Sequence, residues 1–155
     1  MKKCVFAGSF DPVTIGHMHV IERCAMMFEK VVVAIGVNAE KKYYFSKEKR
    51  LEMLKLCCAR FKNVEVCCFD NMLGDFMAEI EAEVLVRGVR DQKDIDYEEK
   101  SFKVTSAINP NVDLMFFQAP PKLKNVSSTF VKELIRQKKS FKKYLPEEIW
   151  GLFEK

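Results

Sequence analysis

Four short clusters in this 155-residue chain hold side chains suited to gripping phosphate. The first is Gly8-Ser9-Phe10-Asp11 with Gly16-His17, and the second is Lys41-Lys42. The third is Arg87-Gly88-Val89-Arg90, and the fourth is Asn125-Val126-Ser127-Ser128-Thr129. Together they supply an imidazole, permanent cations and hydroxyl donors, all of which suit phosphate oxygens. His17 falls in the expected first turn of a helix, where unpaired N–H groups and the helix dipole favour an anion. Gly16 before it lets a ligand approach the backbone. The chain has two histidines, His17 and His19, and no Ser/His/Asp or Cys/His triad is evident.

Each cluster has a plainer reading as well. Lys41-Lys42 taken alone reads as a solvated loop, and His19 as structural or exposed. Asp11 could reach a metal-bound water or cap its own loop. One hydroxyl suffices for a helix N-cap, so Ser127-Ser128-Thr129 leaves two hydroxyls to explain. Arg87 and Arg90, flanking a glycine directly after a buried strand, need an anion or a carboxylate partner.

The elements that must position these clusters follow from the apolar pattern. Residues 3–7 read as a strand leading into the turn at Gly8 and Pro12. The helix after Gly16 carries Ile21, Cys24 and Phe28 on one face. Val31–Ile35 is an unbroken apolar run ended by Gly36, as expected of a strand covered on both sides. Residues 37–45 read as a loop. Ser46 is the expected N-cap of a helix to about Arg60, with Leu51, Leu54 and Cys58 inward.

Val64–Phe69 is a third strand, followed by a short helix around Met72–Glu81. Val84–Val86 is a fourth strand, with Arg87–Arg90 leaving its end. A long polar helix runs from about Asp91 to Ile108, stopped by Asn109-Pro110. Asp113–Gln118 contains a fifth strand, broken by Ala119-Pro120-Pro121. Ser127–Thr129 opens a helix carrying Phe130, Val131, Leu134 and Ile135. Pro146 suits the first turn of a last short helix ending near Phe153. Strand and helix alternate about five times. The expected fold is therefore α/β: one doubly wound, Rossmann-like domain over 1–155, with a five-stranded parallel sheet and helices on both faces. All four clusters then fall just after strands, where open α/β sheets bind ligands.

Composition agrees. Apolar residues are 48% and charged residues 31% of the chain, as in soluble globular proteins. There is no apolar run of about 18 residues, so no membrane span is expected, and the N-terminus lacks a signal-peptide pattern. The net charge of +4 is modest. It fits handling of anions and gives no reason to expect nucleic acid as partner. Six cysteines lie in apolar segments without zinc-type spacing, which points to buried thiols and no metal site.

Gly8-Ser9-Phe10-Asp11-Pro12 with Thr14-Ile15-Gly16-His17 resembles the first signature of the nucleotidyltransferase superfamily with the T/H-x-G-H motif. Val126-Ser127-Ser128-Thr129 with Val131-Lys132-Glu133 resembles the second. Arg87–Arg90 followed by Asp94 and Asp96-Tyr97-Glu98 resembles one branch, bacterial phosphopantetheine adenylyltransferase, and the resemblance covers essentially the whole chain. It implies transfer of the adenylyl group of ATP to 4′-phosphopantetheine, giving dephospho-coenzyme A and pyrophosphate. This is the penultimate step of coenzyme A synthesis.

By resemblance, Ser9, Phe10, His17, Gly88, Val89, Arg90, Glu98, Leu123, Lys124, Asn125, Val126, Ser127, Ser128 and Thr129 contact ATP. Ser9, Lys41, Leu73 and Arg87 contact phosphopantetheine, while His17, Lys41 and Arg90 act in catalysis. It further implies Mg²⁺ held mainly by phosphates and water, a cytoplasmic homohexamer, and feedback inhibition by coenzyme A. Ser9 stands where relatives commonly have Thr, which keeps the hydroxyl. Leu123 stands where some have Trp, which loses any stacking.

Two alternatives remain at this point. One is a cytidylyl- or adenylyltransferase acting on glycerol 3-phosphate or nicotinamide mononucleotide, which the Arg87–Glu98 segment argues against. The other is a nucleotide-sensing or nucleic-acid-binding protein that kept the fold and lost catalysis. The presence of His17, Lys41 and Arg90 argues against that.

Overall fold

The computed structural model describes residues 2–154. Its five strands are β1 (Lys3–Gly8), β2 (Lys30–Gly36), β3 (Val64–Phe69), β4 (Val84–Val89) and β5 (Asp113–Gln118). They form one sheet in the order β3-β2-β1-β4-β5, with every adjacent pair parallel. The helices between and after them are α1 (Ile15–Met27), α2 (Lys47–Cys58), α3 (Leu73–Glu79), α4 (Gln92–Ile108) and α5 (Ser128–Arg136).

Strand periodicity of two divides the core. Cys4, Phe6, Val31, Val33, Ile35, Val84 and Val86 point to one face, where Ile21 and Cys24 of α1, Met53 and Leu54 of α2, and Val131 of α5 cover them. Val5, Ala7, Val32, Ala34 and Leu85 point to the other, under Phe76 and Met77 of α3 and Phe102 of α4. The central strands are buried on both sides, which is why their sequences run apolar without alternation. The expected doubly wound α/β fold is therefore the observed one. No helix of the described residues is long and apolar enough to cross a membrane.

Side chains cap α1, α2, α4 and α5, at Ser46 and Ser127 as expected, while α3 starts at Met72 without one. The Ser46 and Ser127 hydroxyls accept from the Lys49 and Phe130 N–H groups. One boundary differs from the sequence expectation. β4 does not end at Val86 but continues through Arg87-Gly88-Val89, because these residues pair with Phe116, Phe117 and Gln118 of β5. The last short helix ends at Phe153 as expected; it is a 3₁₀ helix over Glu147–Phe153, with Pro146 as its N-cap.

Cys4, Cys24, Cys57 and Cys58 are buried, and Cys67 and Cys68 half-buried, all as free thiols. Burial pushes the thiols of Cys57 and Cys58 up to about 12. They are protonated and unreactive at neutral pH.

Candidate active site

Strand order reverses direction at β1: β2 follows on one side and β4 on the other. The crevice beyond the carboxyl ends of such strands is the expected ligand site of an open α/β sheet. A cleft of about 720 Å³ lies there, among the ends of β1 and β4 and the first turns of α1, α3 and α5.

His17 is placed by the first turn of α1. Thr14 is the N-cap: its Oγ1 accepts the His17 backbone N–H at 3.3 Å, and its own N–H donates to His17 Nδ1 at 3.0 Å. The T-x-G-H spacing is thus a capping box with histidine at the third helical position. Because Nδ1 accepts, the proton of the neutral ring sits on Nε2. Phe10 backs the imidazole at 4.9 Å between ring centroids and itself packs edge-on against Phe6 at 5.3 Å. Burial pushes the His17 imidazole down to about 4. It therefore enters the cleft as a neutral donor.

Phe10 holds φ at 48°, in the left-handed region that a bulky residue rarely adopts. The ring is covered almost completely, at 1% exposure.

Alternation along β4 separates the third cluster between the two sheet faces. A Cβ on Gly88 would lie 3.0 Å from Val20 of α1, so Gly88 faces the α1 side with bare backbone. Arg87 turns to the α4 side. Its Nη1 donates to the Ala7 carbonyl at 2.9 Å, and its Nε lies 3.1 Å from Glu98 Oε2. Glu98 thus stands beside the arginine expected to hold the acceptor. Burial raises its carboxyl above the usual range, Arg87 opposes that rise, and Asp94 adds to it. Arg90 is matched by Asp94, which takes Nε at 2.9 Å and also accepts the Arg90 backbone N–H. The hydrogen bond to Arg90 holds the Asp94 carboxyl below its ordinary value.

The cleft brings together Ser9, Phe10, His17, Lys41, Leu73, Arg87, Gly88, Val89, Arg90, Glu98, Leu123, Val126, Ser127 and Ser128. Lys124, Asn125 and Thr129 do not line it and are exposed. Lys42 is also exposed and off the cleft. The three hydroxyls at the start of α5 separate by role. Ser127 caps the helix, Ser128 Oγ donates to the Pro12 carbonyl at 2.7 Å, and Thr129 faces outward. Ser128 ties the fourth cluster to the first. His19, expected as structural or exposed, is half-buried and reaches the cleft wall.

Asp11 ties its turn to the segment between β2 and α2 and does not cap its own loop. Its carboxylate, 2% exposed, accepts the Tyr44 and Phe45 N–H groups at 2.7 and 2.8 Å, with the Lys132 ammonium 3.6 Å away. Among the described residues no three Asp, Glu, His or Cys side chains gather as a metal site. The donor set fits a divalent ion carried by nucleotide phosphates and water, not a protein cage. Asn71, Tyr43 and Phe69 line the cleft without having been singled out in the sequence. Phe69 ends β3, Asn71 follows it, and Tyr43 lies between β2 and α2, at the carboxyl side of the sheet.

The profile of the cytidylyltransferase-like family matches residues 5–134. Phosphopantetheine adenylyltransferase of Clostridium botulinum strain Hall is 38% identical over 149 residues, 96% of this chain and 91% of that protein. The chain belongs to this family. The enzyme of the same name from Clostridium perfringens strain SM101 is 36% identical over the same shares. Among solved structures, a putative nicotinate-nucleotide adenylyltransferase from Vibrio parahaemolyticus superposes with a TM-score of 0.70 at 18% identity, covering 98% of this chain and 91% of that one. A lipopolysaccharide core biosynthesis protein from Thermoplasma volcanium reaches 0.56 at 19% identity over 77% of this chain and 98% of that one. These two share the fold. Family membership makes the chain a nucleotidyltransferase.

Proposed function

We propose that this chain transfers the adenylyl group of ATP to 4′-phosphopantetheine, forming dephospho-coenzyme A and pyrophosphate. The observation that carries this reading is the division of the cleft at β4. Gly88 and the starts of α1 and α5 offer backbone and hydroxyl donors on one side. Arg87, with Leu73 of α3, offers a cation and an apolar wall on the other. A nucleotide triphosphate suits the first half. A phosphate monoester with a long, mostly neutral tail suits the second, with Lys41 at its rim.

An oxygen of the acceptor phosphate attacks the α-phosphorus of ATP. As that P–O bond forms, the bond to the oxygen bridging toward the β-phosphate breaks, and its electron pair leaves with pyrophosphate. No enzyme nucleophile is needed. Both reactants are anions, so the protein acts by alignment and by stabilising negative charge. His17 donates from Nε2, and Lys41 and Arg90 supply positive charge. Arg87 and Lys41 hold the acceptor phosphate, with Ser9 between the two substrates. In the free chain Glu98 and Asp94 occupy Arg87 and Arg90, so substrate phosphates compete with these carboxylates. Mg²⁺ arriving with ATP would neutralise part of the phosphate charge, contacting the chain through the phosphates and water.

The same reading includes a cytoplasmic homohexamer inhibited by coenzyme A. Tyr97 and Val104, exposed on α4, give an assembled state apolar surface to bury. The test of the reaction is pyrophosphate release when the purified protein meets ATP and 4′-phosphopantetheine. Release that requires both substrates is expected, and none at all would overturn the proposal.

A further inference from the structure

Lys41 sits in the exposed segment between β2 and α2, and a flexible four-carbon stem does not place a charge by itself. Its ammonium lies 5.6 Å from the centre of the Tyr43 ring. The guanidinium carbon of Arg50 stands 3.9 Å from the same centre. Arg50 is 2% exposed, the largest fully buried side chain. Its Nε donates to the Phe45 carbonyl at 3.1 Å, and its Nη1 to the Ser9 carbonyl at 3.0 Å. One buried cation therefore joins the turn that carries Ser9 to the segment that carries Lys41. The Asp11 carboxylate fastens the two N–H groups just after Tyr43, so the backbone next to the ring is pinned from both sides.

We infer that Tyr43 and Arg50 are positioning residues for Lys41: the buried guanidinium fixes the ring, and the ring holds the ammonium at the acceptor side of the cleft. The inference rests on the proposed role of Lys41 toward the acceptor phosphate. The ring quadrupole attracts cations to its face, and here two cations share one ring. Their mutual repulsion makes an anion the fitting third member of the group, and a phosphate dianion at Lys41 supplies it. Lys41 is thereby restricted before the acceptor arrives, which lowers the ordering cost of binding.

The test measures acceptor and ATP dissociation constants by calorimetry, with turnover, for Tyr43→Leu, Tyr43→Phe, Lys41→Ala and the Lys41→Ala/Tyr43→Leu double variant. Tyr43→Leu is expected to weaken the acceptor about tenfold, as for loss of a cation–π contact that also orders the side chain. ATP binding should stay within about twofold, because the change acts through Lys41 alone. Tyr43→Phe keeps the ring and should rescue acceptor binding, since the hydroxyl makes only a long 3.5 Å contact to the Gly36 carbonyl. In the Lys41→Ala background, Tyr43→Leu should cost nothing further.

Additive losses in the double variant, or unchanged acceptor binding in folded Tyr43→Leu, would overturn the inference while leaving the reaction standing. If Lys41→Ala itself spares the acceptor, the role of Lys41 fails first and the inference with it. Arg50→Lys serves as a second probe. It keeps the charge but cannot span both carbonyls, and it should weaken the acceptor as Tyr43→Leu does.

Discussion

In the proposed reaction His17 acts as a hydrogen-bond donor whose proton is already in place. Thr14 commits Nδ1 as acceptor, and the packed rings of Phe10 and Phe6 keep the imidazole uncharged. Replacing it by Ala should lower turnover about 10²–10³-fold, the usual loss for one transition-state donor, with an unchanged circular dichroism spectrum. A folded variant with full turnover would remove His17 from the mechanism. The same burial has a consequence for stability. The native imidazole titrates near 4 and the unfolded one near 6.5, so the unfolded chain binds the proton more tightly. The contribution of His17 is complete above 6.5 and is lost as pH falls toward 4. Below both values this group no longer adds a pH dependence. Urea titrations of the free protein across that range should show stability falling with pH, and His17→Gln should flatten the slope. Glu98 works in the opposite sense. Its raised carboxyl lends stability that is full below 4.5 and fades as pH rises through its native value, so comparison of the variant with the parent protein isolates the histidine.

Helices here differ in what their glycines are for. Gly74 lies where α3 meets α4: a Cβ would come within 2.9 Å of the Ile108 side chain and 3.0 Å of the Thr105 carbonyl. Gly74→Ala should therefore push the two helices apart and cost about 1–3 kcal/mol of stability. Gly16, in the first turn of α1, has no such neighbour. The closest atom to its Cβ would be Thr14 Oγ1 at 3.4 Å. Gly16→Ala should keep or slightly raise the melting temperature and weaken ATP binding, because the added methyl narrows the approach to a helix start. Melting curves and ATP calorimetry on both variants check this contrast. The elements themselves were largely readable. β3 and β5 match the apolar runs, and Ser46 and Ser127 cap where their hydroxyls indicate. The apolar pattern ends β4 at Val86 because Arg87-Gly88-Val89 is strand only by virtue of its ladder with β5, and no local pattern encodes a partner about thirty residues away. Tyr43, Arg50 and the inward turn of Asp11 escaped for a related reason. A buried arginine looks like any solvated helix charge until the carbonyl of Ser9, 41 positions earlier, is seen to receive it.

At the scale of the whole molecule the sheet provides a place for a nucleotide, and the surrounding segments provide the choice of acceptor. A putative nicotinate-nucleotide adenylyltransferase shares this fold at 18% identity. In the proposed function, selection rests on what lines the acceptor half of the cleft: Arg87 from β4, Leu73 from α3, and Lys41 from the segment after β2. Arg87 lies on a strand and Leu73 and Lys41 on two different crossovers, so the three meet only in the assembled sheet. Phosphopantetheine offers a phosphate at one end and a long neutral tail for recognition. Two cations should carry the phosphate, each charge-assisted bond contributing about 1.5–3 kcal/mol, roughly one to two decades of affinity. Lys41→Ala and Arg87→Ala are therefore expected to weaken phosphopantetheine binding by that factor and to leave ATP binding nearly unchanged. Arg87→Ala also frees Glu98, whose carboxyl is then left near the acceptor phosphate, so its loss should exceed that of Lys41→Ala. Adding Glu98→Gln to Arg87→Ala should recover part of the difference. Calorimetry on each variant, with glycerol 3-phosphate and nicotinamide mononucleotide as rival acceptors, measures both affinity and choice. Better use of either rival would reassign the acceptor. An equal fall in ATP affinity would mean that the two halves of the cleft are not separate sites.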